Sequence, residues 1–373
     1  MSLFSPLTND TFLNEYWQQR PLVVRQTLND LSGIIDGDEL AGLACEEDVE
    51  SRIIQGYELN HHWSCSQGPF SADDFTSLPE QNWTLLVQGL DQWVDEISDI
   101  LKRFSFLPRW RLEDIMASYA PIGGGVGPHF DYYDVFLIQV SGKREWKLGQ
   151  KCNEDTPLQK NNEVKLLQEF LTEETHELSS GDMLYIPSGV SHWGRALSDD
   201  CITLSVGFRA PSEKELLTAA LEDITSNLSN HKRYQDTIES IDSDPNKINT
   251  HVYQKLSRLL ASITAEDIQA SVEKVFGELV TEPRYGADEQ EQSFTLLDLK
   301  AIFDRDKEII LESSNSCRMA FSKENLFVNG ESYLCDEVFS REFCDGSIIN
   351  LPNDEQFDLL LSFIDSGDIF VLN

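Results

Sequence analysis

The sequence predicts an α+β protein with a β-rich first part and a helical second part that ends in a small mixed module. All seven tryptophans lie at or before Trp193, and sixteen of the 21 glycines lie before residue 210. Aromatic strands and glycine-rich turns produce this bias in β-rich domains. From Ser212 onward, apolar residues recur at helical spacing instead. At 373 residues, the chain is long enough for two or three domains.

The first part begins with a capped amphipathic helix over Asn9–Trp17 and a short β-type run over Arg20–Val24. Between residues 115 and 208, Gly-rich or polar turns separate short runs that are rich in β-branched and aromatic residues. The predicted strands there are Ile115–Ala120, Asp134–Val140, Arg144–Leu148, Met183–Ile186 and Cys201–Phe208. Many short strands with regular turn signals are typical of a sandwich or barrel.

The second part is predicted to contain three helices, followed by a linker and a module of about 80 residues. The predicted helices are Glu213–Leu228, Asn246–Ile263 and Ala265–Leu279, and residues 282–292 form the linker. In the module, the dipeptide Asn329-Gly330 between two β-type runs predicts a hairpin over Leu326–Tyr333. With a helix near Leu296–Asp304, another over Glu355–Ile364 and a strand over Ile369–Leu372, this order is typical of a winged-helix-like domain.

Composition limits the partners and the compartment. The 29 basic and 65 acidic residues give a net charge of −36, which favours solubility and a basic partner and disfavours direct binding to a nucleic-acid backbone. The seven cysteines form no CxxC pair, which argues against a disulfide framework and for a reducing compartment. We find no secretory signal and no membrane-spanning run, so the sequence predicts a cytoplasmic protein.

Two separated segments together form a set of candidate metal ligands. His129 and Asp131 are two residues apart, so on an extended strand their side chains share a face. The segment Gly181–Gly189, followed by His192, is a turn, a strand, a turn and a histidine. This is the arrangement by which a double-stranded β-helix returns a distal histidine to its mouth. Two histidines and one carboxylate leave open positions on a metal, which is typical of non-haem Fe(II) oxygenases.

These segments resemble the JmjC class of 2-oxoglutarate oxygenases. Within that class they resemble the bacterial ribosomal oxygenases, which hydroxylate an arginine of the large-subunit ribosomal protein L-sixteen. The resemblance rests on Phe12–Val24, Gly123–Trp146, Gly181–His192 and Ser205–Pro211. It implies a double-stranded β-helix (cupin/JmjC) oxygenase domain over residues 1–211, a helical dimerisation segment over 212–281 and a winged-helix-like domain over 282–373. The chain is then expected to form a homodimer.

The resemblance also implies the cofactors and their ligands. His129, Asp131 and His192 would bind Fe(II), leaving positions for 2-oxoglutarate and O2. Arg144 fits the family's position for the distal carboxylate of 2-oxoglutarate, because a guanidinium binds a carboxylate through two parallel hydrogen bonds. Lys143 is the competing candidate, since strand alternation allows only one of the pair to face inward.

Further contacts are expected around this pair. Ser118 matches a family hydroxyl that contacts the same carboxylate, and Thr203 falls where the family can place an amide; the alternative for Thr203 is an ordinary strand threonine. Next to the metal ligands, Tyr132, Tyr133 and Asp134 are candidates for binding a long cationic side chain. Packing in the barrel wall is the alternative for each of these three.

Other functions remain open at this stage. Hydroxylation of histidine and demethylation of lysine would use the same three ligands, so the ligands alone do not select arginine. A cupin isomerase fits Arg144 less well. A winged-helix DNA-binding regulator with a vestigial barrel is disfavoured by the acidic second half, because phosphate contacts need clustered Lys and Arg.

Overall fold

The computed structural model describes residues 3–59, 62–160, 163–226, 228–229, 231, 233–241, 247–248, 250–261, 263–283 and 292–372. The chain divides into two compact units, Met1–Ala210 and Pro211–Asn373. No helix in these ranges is long and apolar enough to cross a membrane. Most of the predicted linker over residues 282–292 lies outside the described residues.

The first unit is built on antiparallel strands. They are β1 Leu22–Val24, β2 Ser51–Gln55, β3 Ser64–Gln67, β4 Trp83–Val87, β5 Leu112–Ala120, β6 Asp134–Ser141, β7 Lys143–Lys151, β8 Thr172–Ser179, β9 Met183–Ile186, β10 Val190–Ala196 and β11 Cys201–Phe208. Over the described residues, eight of them form a large sheet in the order β1-β9-β6-β11-β5-β4-β2-β3, and β10-β7-β8 form a small one. The predicted β-rich first part and its JmjC cupin-type fold are confirmed.

Helices cover one face of the large sheet. They are α1 Asn9–Glu15, α2 Gly37–Leu43, α3 Ala72–Thr76, α4 Leu90–Trp93 and α5 Asp95–Leu101. Phe12, Leu40 and Ile97 from these helices pack with Phe136 and Ile138 of β6 in one hydrophobic core. The covered face is therefore the outside of the barrel.

The opposite face of the large sheet looks into the barrel, because successive side chains on a strand alternate between its two faces. Val135 and Leu137 of β6 pack in a second core with Trp146 and Leu148 of β7 and with Leu184 of β9. This core takes side chains from both sheets and so fills the space between them. On each strand, every second residue therefore points into the barrel. Val135 and Leu137 show which residues do so on β6, and Trp146 and Leu148 show it on β7.

The predicted strands and the one predicted helix of the first unit are confirmed, with small changes at their ends. The strands β2, β3, β4, β8 and β10 were not predicted. The strand β8 has the sequence TEETHELS and is mostly exposed. An exposed edge strand has few apolar residues, so it lacks the alternation that reveals a half-buried strand. The remaining four are short or interrupted by glycine and polar residues.

The second unit contains both helices and small sheets. Its elements are α6 Glu213–Ser226, α7 Thr250–Leu260, α8 Ala265–Thr281, α9 Leu296–Asp306, β12 Ile309–Ser313, β13 Met319–Phe321, β14 Asn325–Val328, β15 Glu331–Leu334, α10 Glu337–Asp345, β16 Ser347–Ile348, α11 Asp354–Asp365 and β17 Ile369–Val371. The three predicted helices are confirmed in shorter or longer form. At the start of the predicted helix Asn246–Ile263, residues 246 and 249 lie outside the described residues, and residues 247–248 are not helical.

The predicted hairpin is also confirmed, as β14 and β15. Asn329 (φ 49°) and Gly330 (φ 83°) are both left-handed, as a two-residue turn that matches the strand twist requires. Helix α8 packs on this hairpin at Gly277, where an added Cβ would lie 2.3 Å from the Phe327 ring. The division predicted at residue 281 thus separates elements that are in contact.

A buried carboxylate fixes the turn between β8 and β9. Asp182 accepts hydrogen bonds from Arg25 Nη1 at 2.8 Å and from the backbone N–H groups of Gln26 and Ser179, both at 3.0 Å. Burial alone would raise the pKa of Asp182, but these hydrogen bonds outweigh it and hold the pKa below its ordinary value. They link the turn to the residues that follow β1.

Asp182→Asn should destabilise the first unit by about 2 kcal/mol at neutral pH, because hydrogen bonds to a charged acceptor are lost. A lowered carboxyl pKa contributes stability above the ordinary pKa, and this contribution disappears as the pH falls below about 4. Chemical denaturation at pH 7 and pH 3 should therefore show a smaller difference between wild type and variant at pH 3. An equal difference at both pH values would contradict the assignment.

Candidate metal and cosubstrate site

The two halves of the predicted metal site are joined by backbone hydrogen bonds. His129 and His192 form an isolated antiparallel bridge, in which His129 N donates to His192 O at 3.1 Å and His192 N donates to His129 O at 2.8 Å. Gly189 N also donates to Asp131 O at 2.8 Å. Gly189 has φ of 80°, a left-handed conformation that favours glycine. The backbone thereby brings three predicted ligands from two distant segments together.

The side chains converge as well. The candidate ligand atoms of His129, Asp131 and His192 all lie within 4.8 Å of one another. Asp131 Oδ2 is 3.9 Å from His129 Nε2 and 3.5 Å from His192 Nε2. The Nδ1 atoms of the two histidines lie 2.9 Å from Gly127 O and 3.1 Å from Val190 O. Because a carbonyl only accepts, each neutral ring carries its proton on Nδ1 and presents the Nε2 lone pair to a metal.

Electrostatics keep one of these rings uncharged. Burial, followed by repulsion from His129, lowers the pKa of His192 to about 4, although Asp131 acts in the opposite direction. His192 is therefore neutral near pH 7, which is the form that binds a metal. Two imidazoles and one carboxylate match the ligand set of non-haem Fe(II) sites.

A buried arginine lies in the same barrel. Arg144 is 2% exposed and shares the inward face of β7 with Trp146 and Leu148. Its Nε and Nη2 atoms are buried and have no hydrogen-bond partner in the described part of the chain. Such donors are costly when unpaired, so the guanidinium fits a buried anion such as the distal carboxylate of 2-oxoglutarate. Lys143 instead lies at the surface and pairs with Glu177 at 2.9 Å.

Ser118 and Thr203 occupy neighbouring inward positions on paired strands. They are cross-strand partners on β5 and β11, and Ser118 Oγ donates to Thr203 O at 3.3 Å. Thr203 Oγ1 donates to Gln139 Oε1 at 2.8 Å. Gln139 of β6 is thus a buried amide beside Thr203 that the sequence reasoning missed, and its Nε2 donates to Ser141 O at 2.6 Å and to Ile202 O at 3.1 Å. Its signal was one polar residue on the inward side of an apolar strand.

The candidate substrate residues are placed differently from one another. Tyr133 is close to the site: burial, then the charges of Asp131 and Asp114, raise its pKa. Tyr132 is 66% exposed. Asp134 is fully buried on the outer face of β6, where it accepts from Tyr185 Oη at 2.6 Å, Gln18 Nε2 at 3.2 Å and Arg111 Nη2 at 3.4 Å. The structure therefore does not bring Asp134 to the site, because its parity on the strand points it outward.

Comparison with known proteins agrees with this geometry. Residues 99–216 match the model of the JmjC domain. The chain is 39% identical over 214 residues to a probable ribosomal oxygenase of Haemophilus influenzae, covering 57% of this chain and only 52% of that protein. It is 35% identical over 279 residues to the ribosomal protein uL16 3-hydroxylase of Escherichia coli, covering 74% of this chain and 72% of that protein. The chain belongs to the ribosomal oxygenase family of JmjC proteins.

Solved structures of the family support the same placement. The crystal structure of E. coli YcfD matches with a TM-score of 0.81 and 29% identity, over 98% of both chains. YcfD in complex with cobalt and 2-oxoglutarate matches with a TM-score of 0.76 and 28% identity, over 98% of this chain and 99% of that one. The predicted enzyme class, a 2-oxoglutarate-dependent oxygenase with Fe(II), 2-oxoglutarate and O2, is confirmed by this membership.

Asp131→Ala and His129→Ala should each abolish turnover of 2-oxoglutarate while leaving the fold intact, because each removes a metal ligand. An assay of succinate release measures the turnover, and calorimetry measures the binding of cobalt. His176→Ala is the matched control, since this histidine lies on β8 and pairs with Glu174 at 2.8 Å. Retained turnover in either ligand variant would overturn the assignment.

Arg144→Ala should raise the concentration of 2-oxoglutarate needed for half-maximal turnover by at least tenfold, because a charge-assisted hydrogen bond is lost. Lys143→Ala, one residue away and exposed, should leave it unchanged. Initial rates across a 2-oxoglutarate titration separate the two. If the effects are reversed, Lys143 is the cosubstrate residue.

Proposed function

We propose that this protein hydroxylates an arginine side chain of a large-subunit ribosomal protein of the uL16 (L-sixteen) type. The observation that carries the proposal is the combination of three converging metal ligands with the unpartnered, buried Arg144 in one barrel. The E. coli relative, a ribosomal protein uL16 3-hydroxylase, supports the substrate. A ribosomal substrate also agrees with the cytoplasmic location expected from the sequence.

The bound metal and cosubstrate would supply the oxidation itself: one oxygen atom of O2 enters the C–H bond, and the other enters succinate as 2-oxoglutarate loses CO2. The residues of the chain orient and enclose this reaction. His129, Asp131 and His192 would hold Fe(II). Arg144, with Ser118 and Thr203 on the facing strands, would hold 2-oxoglutarate.

An arginine side chain suits the remaining polar groups at the site. Asp114 is 4% exposed, and its position on β5 faces the barrel, like that of Ser118. Its carboxylate accepts from Gln88 Nε2 at 2.6 Å and from Gly89 N at 3.1 Å, and its charge raises the pKa of Tyr133. A carboxylate beside an aromatic ring is a combination that binds a guanidinium. We therefore assign Tyr133 and Asp114, rather than Asp134, to the substrate.

The charge of the chain supports a basic partner. At −36, its field would speed encounter with a cationic ribosomal protein and repel a free nucleic acid. Residues 292–372, which make up most of the predicted winged-helix-like domain over 282–373, contain sixteen Asp and Glu against six Lys and Arg. We infer that this domain contacts protein rather than DNA.

Intact-mass analysis of ribosomal proteins, from cells with and without this enzyme, tests the substrate. One large-subunit protein should be heavier by one oxygen atom only when the enzyme is present, and fragmentation should locate that atom on an arginine. Cells that carry the Asp131→Ala variant are the control. An unmodified set of ribosomal proteins would contradict the ribosomal substrate, and an oxygen atom on histidine would favour the alternative JmjC activity.

We also propose that residues 212–281 form a dimer interface. Helix α6 exposes Leu217 and Leu221, one turn apart, and α7 exposes Tyr253, Leu256 and Leu260 at helical spacing. Rows of exposed apolar side chains on neighbouring helices mark association surfaces. A second copy of the chain is the occupant that the family architecture implies.

Leu256→Asp with Leu260→Asp should shift the protein toward monomer, because burying two carboxylates in an apolar interface is unfavourable. Sedimentation velocity at micromolar concentration measures the state. Leu297→Asp, on an exposed position of α9, is the control and should stay dimeric. A wild-type protein that sediments as a monomer would exclude the interface.

A further inference from the structure

The indole of Trp146 carries a buried donor that the site described above does not use. Trp146 is 5% exposed, and its Nε1–H has no hydrogen-bond partner in the described part of the chain. Buried tryptophan N–H groups ordinarily find an acceptor. Its ring fills the apolar core between the two sheets, so packing accounts for the ring but not for the unpartnered N–H.

The guanidinium of Arg144, which is also unpartnered in the described part of the chain, lies close to this indole. The two residues are two positions apart on β7 and share its inward face, and Arg144 Cζ lies 5.8 Å from the centre of the Trp146 ring. Three donor atoms on this face of β7, Trp146 Nε1 with Arg144 Nε and Nη2, are therefore buried without an acceptor among the described residues. Leaving such a donor unpaired is unfavourable. One carboxylate, with about four lone-pair sites, could accept from all three.

The orientation of the indole is fixed by a glycine on the neighbouring strand. Gly194 of β10 pairs with Trp146, and a Cβ added to Gly194 would lie 2.6 Å from Cζ3 and Cη2 of the indole and 2.9 Å from Cε3. These atoms form the outer edge of the six-membered ring. Nε1 belongs to the five-membered ring and is not among these three atoms. On β10 itself, the His192 ring lies 5.9 Å from that of Trp146.

We propose that Trp146 Nε1–H donates a hydrogen bond to the carboxylate of 2-oxoglutarate that Arg144 binds. Trp146 is then a cosubstrate-binding residue, and Gly194 is the position that allows the indole to lie close to β10. This inference rests on the cosubstrate of the proposed function but not on its protein substrate. A ring that only packs the core would affect stability without affecting the affinity for the cosubstrate.

The test is calorimetric titration of the cobalt-loaded protein with 2-oxoglutarate and, separately, with succinate. Trp146→Phe keeps an aromatic ring and removes the N–H, so it should weaken both ligands by roughly tenfold, the loss of one hydrogen bond to a charged group. Succinate shares the distal carboxylate, so the two factors should be similar. Cobalt affinity should stay at the wild-type value.

Trp193→Phe is the matched control. Trp193 lies on β10, one residue from Gly194, and packs in a different cluster, so its loss should leave both affinities unchanged. Unchanged affinities in Trp146→Phe would overturn the proposal. A loss confined to 2-oxoglutarate would overturn the assignment to the distal carboxylate.

Two further measurements keep the test decisive if Trp146→Phe folds poorly. Gly194→Ala keeps the N–H but displaces the indole, and it should also weaken 2-oxoglutarate. In zinc-loaded wild type labelled with 15N-tryptophan, the indole resonance of Trp146 should shift when 2-oxoglutarate is added, whereas that of Trp193 should not. An unshifted Trp146 resonance would overturn the proposal. Since none of these readouts needs a protein substrate, failure of the ribosomal assignment would leave them interpretable.

Discussion

The antiparallel bridge between His129 and His192 is the contact on which the site depends. Its two backbone hydrogen bonds hold two metal-ligand segments at a fixed separation without using either imidazole. Each ring can then donate from Nδ1 to a nearby carbonyl and leave Nε2 free. Because the backbone does the positioning, the ligand side chains are already oriented before a metal binds, which reduces the ordering cost of binding.

Alternation along the strands separates the functions of neighbouring residues. On β6, Phe136 and Ile138 belong to the outer core, whereas Val135, Leu137 and Gln139 face the barrel. On β7, Arg144 is buried and Lys143 is exposed. A shift of one residue in either strand would exchange these roles. The register of the sheets therefore determines which charged groups meet the cosubstrate.

Arg144 is a buried cation in the barrel of an acidic protein. Arg144 lies near Trp146, with apolar side chains from both sheets around them, and a buried cation of this kind favours a dianionic ligand such as 2-oxoglutarate. The acidic exterior instead favours a basic protein. On the proposed function, the cosubstrate and the protein substrate would therefore be selected by opposite charges.

The sequence by itself indicated the candidate metal ligands, the candidate cosubstrate residue Arg144 and the elements with a strong period or turn signal, such as the Asn329-Gly330 hairpin. These features depend on local spacing, which a chain displays before it folds. Only the tertiary structure decided that Asp134 faces the outer core, that Gln139 is buried beside Thr203 and that Asp114 lies near Tyr133. Those outcomes depend on strand register and on contacts between distant segments, which local spacing does not encode.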